Sequence, residues 1–187
     1  MQTQLEIEFK LMLTKDIYTK IYLDYLDQHI EQYEQTNYYI MHPTLDTYRY
    51  MLRIREKKGM YELTLKEPQA EGNLETNIVI SEEEKTNILQ KQFPNNSIFE
   101  KLLTLGIALE ELDTSSSLRT LRTDIKHPSG MLSLDKNFYS GKIDYELELE
   151  VTNKKNGKEA FLQILNKYQL SYTQNGLSKI KRLKQTL

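Results

Sequence analysis

The segment Leu5-Glu6-Ile7-Glu8-Phe9-Lys10-Leu11, near the amino terminus, alternates strictly between apolar and charged residues. Because successive side chains of a β-strand point to opposite faces, Glu6, Glu8 and Lys10 share one face of a predicted strand. Such a face is either the solvated side of an ordinary antiparallel sheet or a surface that holds a cation and a polyanion together. The rest of the chain has to decide between these two interpretations.

The composition is typical of a globular protein of moderate size. The chain has 187 residues, of which 28% are charged and 39% hydrophobic, and we expect a single domain over residues 1–187. The net charge of -2 argues against general attraction to nucleic acid or to an acidic membrane surface. The absence of cysteine excludes disulfides and cysteine-zinc sites. Glu6 and Glu8 lie where an amino-terminal signal peptide would need an apolar segment. We expect a cytoplasmic protein, either a monomer or a homodimer, with no nucleic-acid or membrane partner.

The alternation recurs along the chain, between segments with helical periodicity. Strands are predicted over residues 5–11, 35–45, 48–56, 61–66, 74–80, 118–126, 131–135, 144–151 and 177–183. Helices are predicted over residues 14–33, 81–92, 97–105 and 158–168. We find no composition shift that would mark a domain boundary.

Charged residues of the same sign occur two apart in these strands. The pairs are Glu6/Glu8, Arg53/Arg55 and Glu146/Glu148. Two residues of strand place such like charges about 7 Å apart on one face, which is unfavourable unless a charge of opposite sign lies between them. Acidic pairs therefore favour a metal ion, and basic pairs favour phosphate or carboxylate.

The amphipathic helices need an apolar surface, and the apolar faces of the strands can supply it. If the sheet closes into a barrel, the helices cover its outside and the charged faces line the lumen. Burying so many charges without a ligand would be costly. A hydrated tunnel that binds a metal ion and a polyphosphate avoids this cost.

The ordered set of charged motifs resembles the CYTH domain superfamily, also called the triphosphate tunnel metalloenzymes. The matching residues are Glu6-Ile7-Glu8-Phe9-Lys10, Arg53-Ile54-Arg55, Lys66, Arg122, Asp135, Glu146-Leu147-Glu148 and Lys179. The resemblance spans about residues 6–182 and is greatest to the small single-domain bacterial members. It implies an α+β fold, namely a closed antiparallel eight-stranded β-barrel with a charged lumen and flanking helices. It also implies hydrolysis of triphosphates with a divalent metal or, in one branch, cyclisation of ATP.

The resemblance further implies roles for individual residues. A Mg²⁺ or Mn²⁺ ion is expected at Glu6, Glu8, Asp135, Glu146 and Glu148. The phosphates of a small-molecule triphosphate are expected at Lys10, Arg53, Arg55, Lys66, Arg122 and Lys179. Catalytic roles are expected for Lys10, Glu6 and Glu8, with Glu75 as a further candidate site residue. Inorganic triphosphate is the expected substrate, ahead of nucleoside or thiamine triphosphate.

Several alternatives stay open at this point. One is a class IV-type adenylate cyclase, which shares the tunnel, and another is a polyphosphate- or nucleotide-binding module without turnover. The third is an ordinary antiparallel sheet with solvated charges. The sequence has Tyr38-Tyr39-Ile40-Met41 where the family often has a Tyr-Tyr-Asp-Thr-like segment. It also has Thr120 two residues before Arg122, where some members have a lysine.

Overall fold

The structure, a computed structural model, describes residues 1–187. Its eight strands are β1 (Gln2–Leu13), β2 (His29–Met41), β3 (Met51–Lys57), β4 (Met60–Gln69), β5 (Gly72–Ile80), β6 (Asp113–His127), β7 (Gly130–Tyr139) and β8 (Lys142–Val151). Its six α-helices are α1 (Lys15–Asp24), α2 (Pro43–Tyr48), α3 (Glu82–Leu89), α4 (Ser97–Thr104), α5 (Lys154–Lys167) and α6 (Lys179–Lys184). Short 3₁₀ helices occur at Leu26–Gln28 and Leu109–Glu111. No helix of the chain is both long and apolar enough to cross a membrane.

The strands form a closed antiparallel barrel in the order β1-β5-β4-β3-β2-β6-β7-β8, which confirms the predicted fold. Consecutive strands pair within β2 to β5 and within β6 to β8, and four of their hairpins turn over two residues. At Lys58-Gly59 and Ser140-Gly141 both turn residues have positive φ. This conformation, which glycine adopts without strain, matches the twist of the flanking strands.

The chain comprises two compact units, which we describe separately. Unit 1 contains Met1–Leu5 and Gln35–Leu118, and unit 2 contains Glu6–Glu34 and Arg119–Leu187. The expectation of a single domain over residues 1–187 stays a prediction.

The core of unit 2 lies between helices and the apolar faces of β1, β7 and β8. Leu147 and Leu149 of β8 are fully buried in it, and Phe9 of β1 stacks on Phe161 of α5 with ring centroids 6.0 Å apart. Ile21 of α1 completes the packing from the same side. Because the strands alternate, the charged residues between these positions face away from the helices.

The core of unit 1 has the same construction. Ile54 and Leu63 of β3 and β4 are fully buried against Phe99 and Leu102 of α4. Asn96 begins α4, since its side-chain oxygen accepts hydrogen bonds from the first backbone N–H groups of the helix. The helix thereby covers one face of the strands and leaves the basic face on the other side.

The predicted helix over residues 14–33 is too long. Helix α1 ends at Asp24, and β2 begins at His29. Ile30, which contributed to the helical pattern, is 55% exposed, whereas Tyr33 is buried and donates a hydrogen bond to Asp124 of β6 at 3.0 Å. Strand pairing of this segment therefore outweighed its weak helical periodicity.

Helix α2 (Pro43–Tyr48) occupies the end of the predicted strand over residues 35–45 and the start of the one over residues 48–56. Pro43 occupies the start of α2, where its missing N–H is not needed, and the His42 ring accepts a hydrogen bond from the Thr44 N–H at 3.1 Å. Because α2 continues to Tyr48, β3 begins at Met51 rather than at residue 48.

The predicted C-terminal strand over residues 177–183 is wrong. The segment forms α6, which begins after Ser178 and buries Lys179, Arg182 and Leu183 while Lys181 is exposed. Spacing of three and four residues places the buried side chains on one face of a helix. Eight other strands already close the barrel, so this segment has no sheet edge to join.

Candidate functional site

The strand register of unit 2 brings the second-half motifs together. Arg122 on β6 pairs with Asp135 on β7, which in turn pairs with Glu146 on β8. In the neighbouring row, Glu148 on β8 pairs with Lys10 on β1. Residues directly opposite in an antiparallel sheet have Cβ atoms about 5 Å apart, so the register alone forces these charges into one cluster.

Three carboxylates form the centre of this cluster. Oxygen atoms of Asp135, Glu146 and Glu148 all lie within 4.8 Å of one another. Asp135 and Glu146 have no exposed surface, and Glu148 is 9% exposed. One oxygen of Glu146, Oε1, is buried without a hydrogen-bond partner. Such a group is the kind of oxygen-rich site that can hold a divalent cation.

Lys179, at the start of α6, is the ion-pair partner shared by all three carboxylates. Its Nζ lies 2.8 Å from Asp135 Oδ2, 2.9 Å from Glu146 Oε2 and 2.7 Å from Glu148 Oε1. Burial alone would lower the pKa of Lys179, but the three acids hold it well above its usual range. The lysine is therefore fully charged at neutral pH.

Arg122 binds the same acids from the other side. Its Nε and Nη2 donate to the two oxygens of Asp135 at 2.7 and 2.6 Å, and Nη2 also donates to Glu148. Burial would raise the pKa of Asp135 and of Glu148, but the neighbouring cations lower both below their usual ranges. Both carboxylates are consequently ionised, which is the form that binds a metal ion.

The motif of β1 lies beside the three clustered carboxylates, since Lys10 pairs with Glu148 in the register. The Lys10 ammonium donates to Glu8, and charges of Glu8 and Glu148 outweigh burial and raise the pKa of Lys10. Asn175 fixes this strand from the C-terminal segment, because its amide accepts from Lys10 N at 2.8 Å and donates to Glu8 O at 3.0 Å. Glu6 and Glu8 share the face of Lys10 but are not among the three clustered carboxylates, so their metal role stays a prediction.

Arg182 is a buried member of the site that the sequence analysis did not assign. Its Nη2 donates to Glu146 Oε2 at 2.7 Å, and its Nε donates to Asp144 Oδ2 at 2.9 Å. Asp144 also accepts from Tyr139 and Asn137 at 2.6 and 2.9 Å. The three-residue spacing from Lys179 would have identified Arg182, had residues 177–183 been predicted as a helix.

The basic motifs of the first half form a separate set in unit 1. Lys66 Nζ lies 2.5 Å from Glu75 Oε1, and Arg53 Nη2 lies 4.0 Å from the same oxygen. Burial would raise the pKa of Glu75, but Lys66 and Arg53 lower it to about 2. Arg55 donates from Nε to Asn37 Oδ1 at 3.2 Å. Glu75 is thus an ion-pair partner of the predicted phosphate ligands, rather than a member of the acidic cluster.

Fold and charges together define a class of protein. The strands form a closed barrel, their apolar faces pack on helices, and their opposite faces carry arginines, lysines and carboxylates held mostly in buried ion pairs. Charged faces of this kind can bind a polyanion.

Comparison with known proteins gives the family. The model of the CYTH domain matches residues 4–183, and the chain belongs to the CYTH family. The YjbK protein of Bacillus subtilis, provisionally named a triphosphatase, is 33% identical over 177 residues, which cover 91% of this chain and 90% of that protein. The resemblance stated from the motifs is therefore confirmed.

Solved structures agree on the fold. A Bacillus halodurans protein, provisionally named an adenylate cyclase, is 31% identical, with 97% of this chain and 98% of that chain covered and a TM-score of 0.88. A Hippeastrum protein, provisionally named an adenylyl cyclase and described as having a dominant triphosphatase activity, is 21% identical. Its match covers 97% of this chain and 96% of that chain with a TM-score of 0.81, which shows the shared fold alone. The names of these relatives divide between hydrolysis and cyclisation.

Proposed function

We propose that this protein is a divalent-metal-dependent hydrolase of triphosphate compounds. The observation that carries the proposal is the cluster of Asp135, Glu146 and Glu148, interleaved with Lys179 and Arg122 on one buried face. Acids and bases at such close range can bind a cation and phosphate oxygens side by side. The triphosphatase name of the relative that is 33% identical supports the hydrolytic assignment.

The acidic residues fit a metal ion of the Mg²⁺ or Mn²⁺ kind. Their donors are all carboxylate oxygens, and Glu146 Oε1 is buried with no partner to replace. We assign Asp135, Glu146 and Glu148 as the ligands, and retain Glu6 and Glu8 as further acids on the adjoining strand. When bound, the ion would neutralise phosphate charge and make a water molecule more acidic.

The cations of both units are assigned to the phosphates. Arg122, Arg53 and Arg55 can each bind two phosphate oxygens through the planar guanidinium group, whereas lysines act as point charges. The lysine positions are Lys10, Lys66 and Lys179. Because its pKa is raised, Lys10 acts as a hydrogen-bond donor and a positive charge rather than as a base. Transfer of the terminal phosphoryl group would then depend on positioning and on neutralisation of developing charge.

Inorganic triphosphate is the first substrate that we propose. It contains every group that the charged residues bind, and nucleoside and thiamine triphosphates present the same phosphate chain. We expect release of orthophosphate from inorganic triphosphate with Mg²⁺ or Mn²⁺ and none in EDTA.

Cyclisation of ATP is the second candidate, because the 31% identical Bacillus halodurans protein is provisionally named an adenylate cyclase. Chromatography of the products formed from ATP distinguishes the two reactions. Cyclic AMP with pyrophosphate would support cyclisation, whereas ADP with orthophosphate would support hydrolysis.

The variant Glu148→Gln tests the metal assignment. It keeps the size of the side chain but removes a charge that binds both Lys179 and Arg122. We expect loss of metal-dependent phosphate release while the circular dichroism spectrum stays that of the folded protein. Glu159→Gln, the same exchange at an exposed position of α5, is the control. Full activity of Glu148→Gln would contradict the assignment.

The variant Arg53→Ala tests the phosphate assignment in unit 1. Loss of charged hydrogen bonds worth about 1.5 to 3 kcal/mol should weaken binding of triphosphate roughly 10- to 100-fold. The metal concentration that gives half-maximal activity should change much less, because Arg53 contacts none of the three clustered acids. Arg119→Ala, at an exposed arginine paired with Glu34, is the control. Unchanged kinetics of Arg53→Ala would assign it a purely structural role.

A further inference from the structure

Three neutral polar side chains of unit 1 are buried without hydrogen-bond partners for some or all of their polar atoms. Gln35 is 2% exposed, and both its amide oxygen and its amide nitrogen lack a partner. Asn37 and Thr64 have no exposed surface, and Asn37 Nδ2 and Thr64 Oγ1 lack partners. None of these residues belongs to the charged motifs of the sequence.

The positions of these residues connect them to the proposed phosphate ligands. Asn37 pairs with Arg55 in the register and accepts its Nε hydrogen bond at 3.2 Å, so only its NH₂ group remains unused. Thr64 pairs with Arg53 in the register. Gln35 lies two residues before Asn37 on the same face of β2, about 7 Å further along the strand. The neutral amides therefore continue the row of arginines toward the β3–β4 turn.

Unpaired polar groups of this kind are unusual in a protein interior. Nearly all buried polar side chains have a partner, and each one without a partner lowers stability. An apolar residue at position 35 would fill the same space without that loss. The retention of a buried and unpaired amide beside an arginine row indicates that a ligand supplies the missing partners.

The chemistry of Gln35 narrows the class of ligand. Its amide offers an acceptor and two donors, all unused. The oxygens of a deprotonated phosphate accept hydrogen bonds but do not donate them, so inorganic triphosphate would leave Gln35 Oε1 unpaired. A hydroxyl group both donates and accepts.

We propose that Gln35 and Asn37 form a neutral amide subsite that binds the hydroxyl-bearing organic substituent of a triphosphate whose phosphates contact Arg53 and Arg55. This inference rests on the proposed function and extends it to the substrate class. Asn37 has a second role in it, because its carbonyl oxygen orients Arg55. A nucleoside triphosphate is a suitable probe, because its ribose hydroxyl groups lie next to the phosphate chain.

The test compares ATP with inorganic triphosphate in the wild type and in Gln35→Met. Methionine preserves the volume of the side chain and removes both polar atoms. We expect kcat/KM for ATP turnover to fall about tenfold more than kcat/KM for inorganic triphosphate, and the urea midpoint of unfolding to rise because a buried unpaired amide has been removed. Thr36→Val changes a neighbouring residue on the other face of β2 and should alter neither quantity.

The outcomes separate this inference from the proposed function. A wild type that turns over neither compound overturns the proposed function. A wild type that hydrolyses inorganic triphosphate but does not turn over ATP overturns the inference alone. A Gln35→Met protein whose kcat/KM falls equally for the two substrates, or for neither, also overturns it. That result would indicate that ordered water occupies the subsite. A Gln35→Met protein that is less stable or does not fold would show that the amide has a structural partner, and would also overturn it.

Discussion

Exchange of Lys179 for methionine should destabilise the metal-free protein more than most single substitutions. The ammonium group contacts three carboxylates at 2.7 to 2.9 Å, and its side chain is 10% exposed. Methionine keeps the length of the side chain and removes only the charge. The variant thus leaves the three acids with less positive charge than before.

The magnitude follows from the partners that remain. Asp135 keeps both hydrogen bonds from Arg122, and Glu146 keeps one from Arg182. Because these partners are already present in the wild type, nothing replaces the lost charge of Lys179. Removing one partner of a buried ion pair typically costs about 3 to 5 kcal/mol. We expect the free energy of unfolding in EDTA to fall by about 3 kcal/mol, at the lower end, because Arg122 and Lys10 still attract Glu148.

Added metal should reverse part of this loss. In the wild type a cation must compete with Lys179 for the acids, whereas in Lys179→Met the acids are unopposed. A ligand at 100 times its dissociation constant stabilises a protein by about 2.7 kcal/mol. Urea unfolding followed by circular dichroism, in EDTA and with increasing MnCl₂, should therefore show a larger gain for the variant than for the wild type.

Two results would refute this reasoning. A variant as stable as the wild type in EDTA would show that the lysine contributes no net stabilisation. Equal gains from MnCl₂ in both proteins would show that the metal does not bind where Lys179 now lies. Lys181→Met, the same exchange at the exposed position two residues on, should behave as the wild type in both conditions.

Two further predictions concern the ion pairs around this site. Arg182→Met should lower the free energy of unfolding by about 3 kcal/mol and loosen α6, because it removes a buried guanidinium that binds Asp144 and Glu146. Hydrogen exchange of the α6 amides measures this loosening. Protection equal to that of the wild type would contradict the prediction. The acid-dependent stability should depend on Glu75, whose pKa in the folded protein is lowered to about 2 from 4.5. Its contribution is present above pH 4.5 and is lost as the pH falls toward 2, so the difference in stability between wild type and Glu75→Gln should shrink over that range. A difference that is independent of pH would show that Glu75 is not the titrating group.

The alternation of side chains along strands predicted most residues of the candidate site, because this alternation depends only on local backbone geometry. Glu146 and Glu148 face the same side of β8 for the same reason that Leu147 and Leu149 face the other, and no tertiary information is needed. This alternation does not reveal which strands lie side by side. The pairing of Arg122 with Asp135, and of Asp135 with Glu146, is a property of the closed register.

The prediction from alternation was wrong where the backbone is a helix rather than a strand. Residues 177–183 have too few positions to distinguish a period of 2 from a period of 3.6, and the strand assignment grouped Lys179 with Lys181. In the helix Lys179 shares its face with Arg182, and Lys181 is exposed. The family motif placed Lys179 in the site despite the wrong element, but it gave no reason to include Arg182.

The neutral residues of the proposed subsite were not predicted from the sequence for a different reason. Gln35 and Asn37 carry no charge, and an amide in a strand is equally compatible with a solvated or a buried position. What distinguishes them is the absence of partners for their polar atoms in a buried environment. That property belongs to the whole fold, so composition and spacing could not reveal it.

The ion pairs also constrain how ligands can enter. Asp135 lies between Arg122 and Lys179, so a phosphate that takes either cation removes one of the two positive partners of a buried carboxylate. Such a carboxylate is costly unless another positive charge replaces the one removed. Phosphate binding to these cations therefore requires a cation at the acids, and the proposed metal requires that Lys179 leave them. Loss of activity in EDTA is therefore an expected consequence of the ion pairs in the acidic cluster.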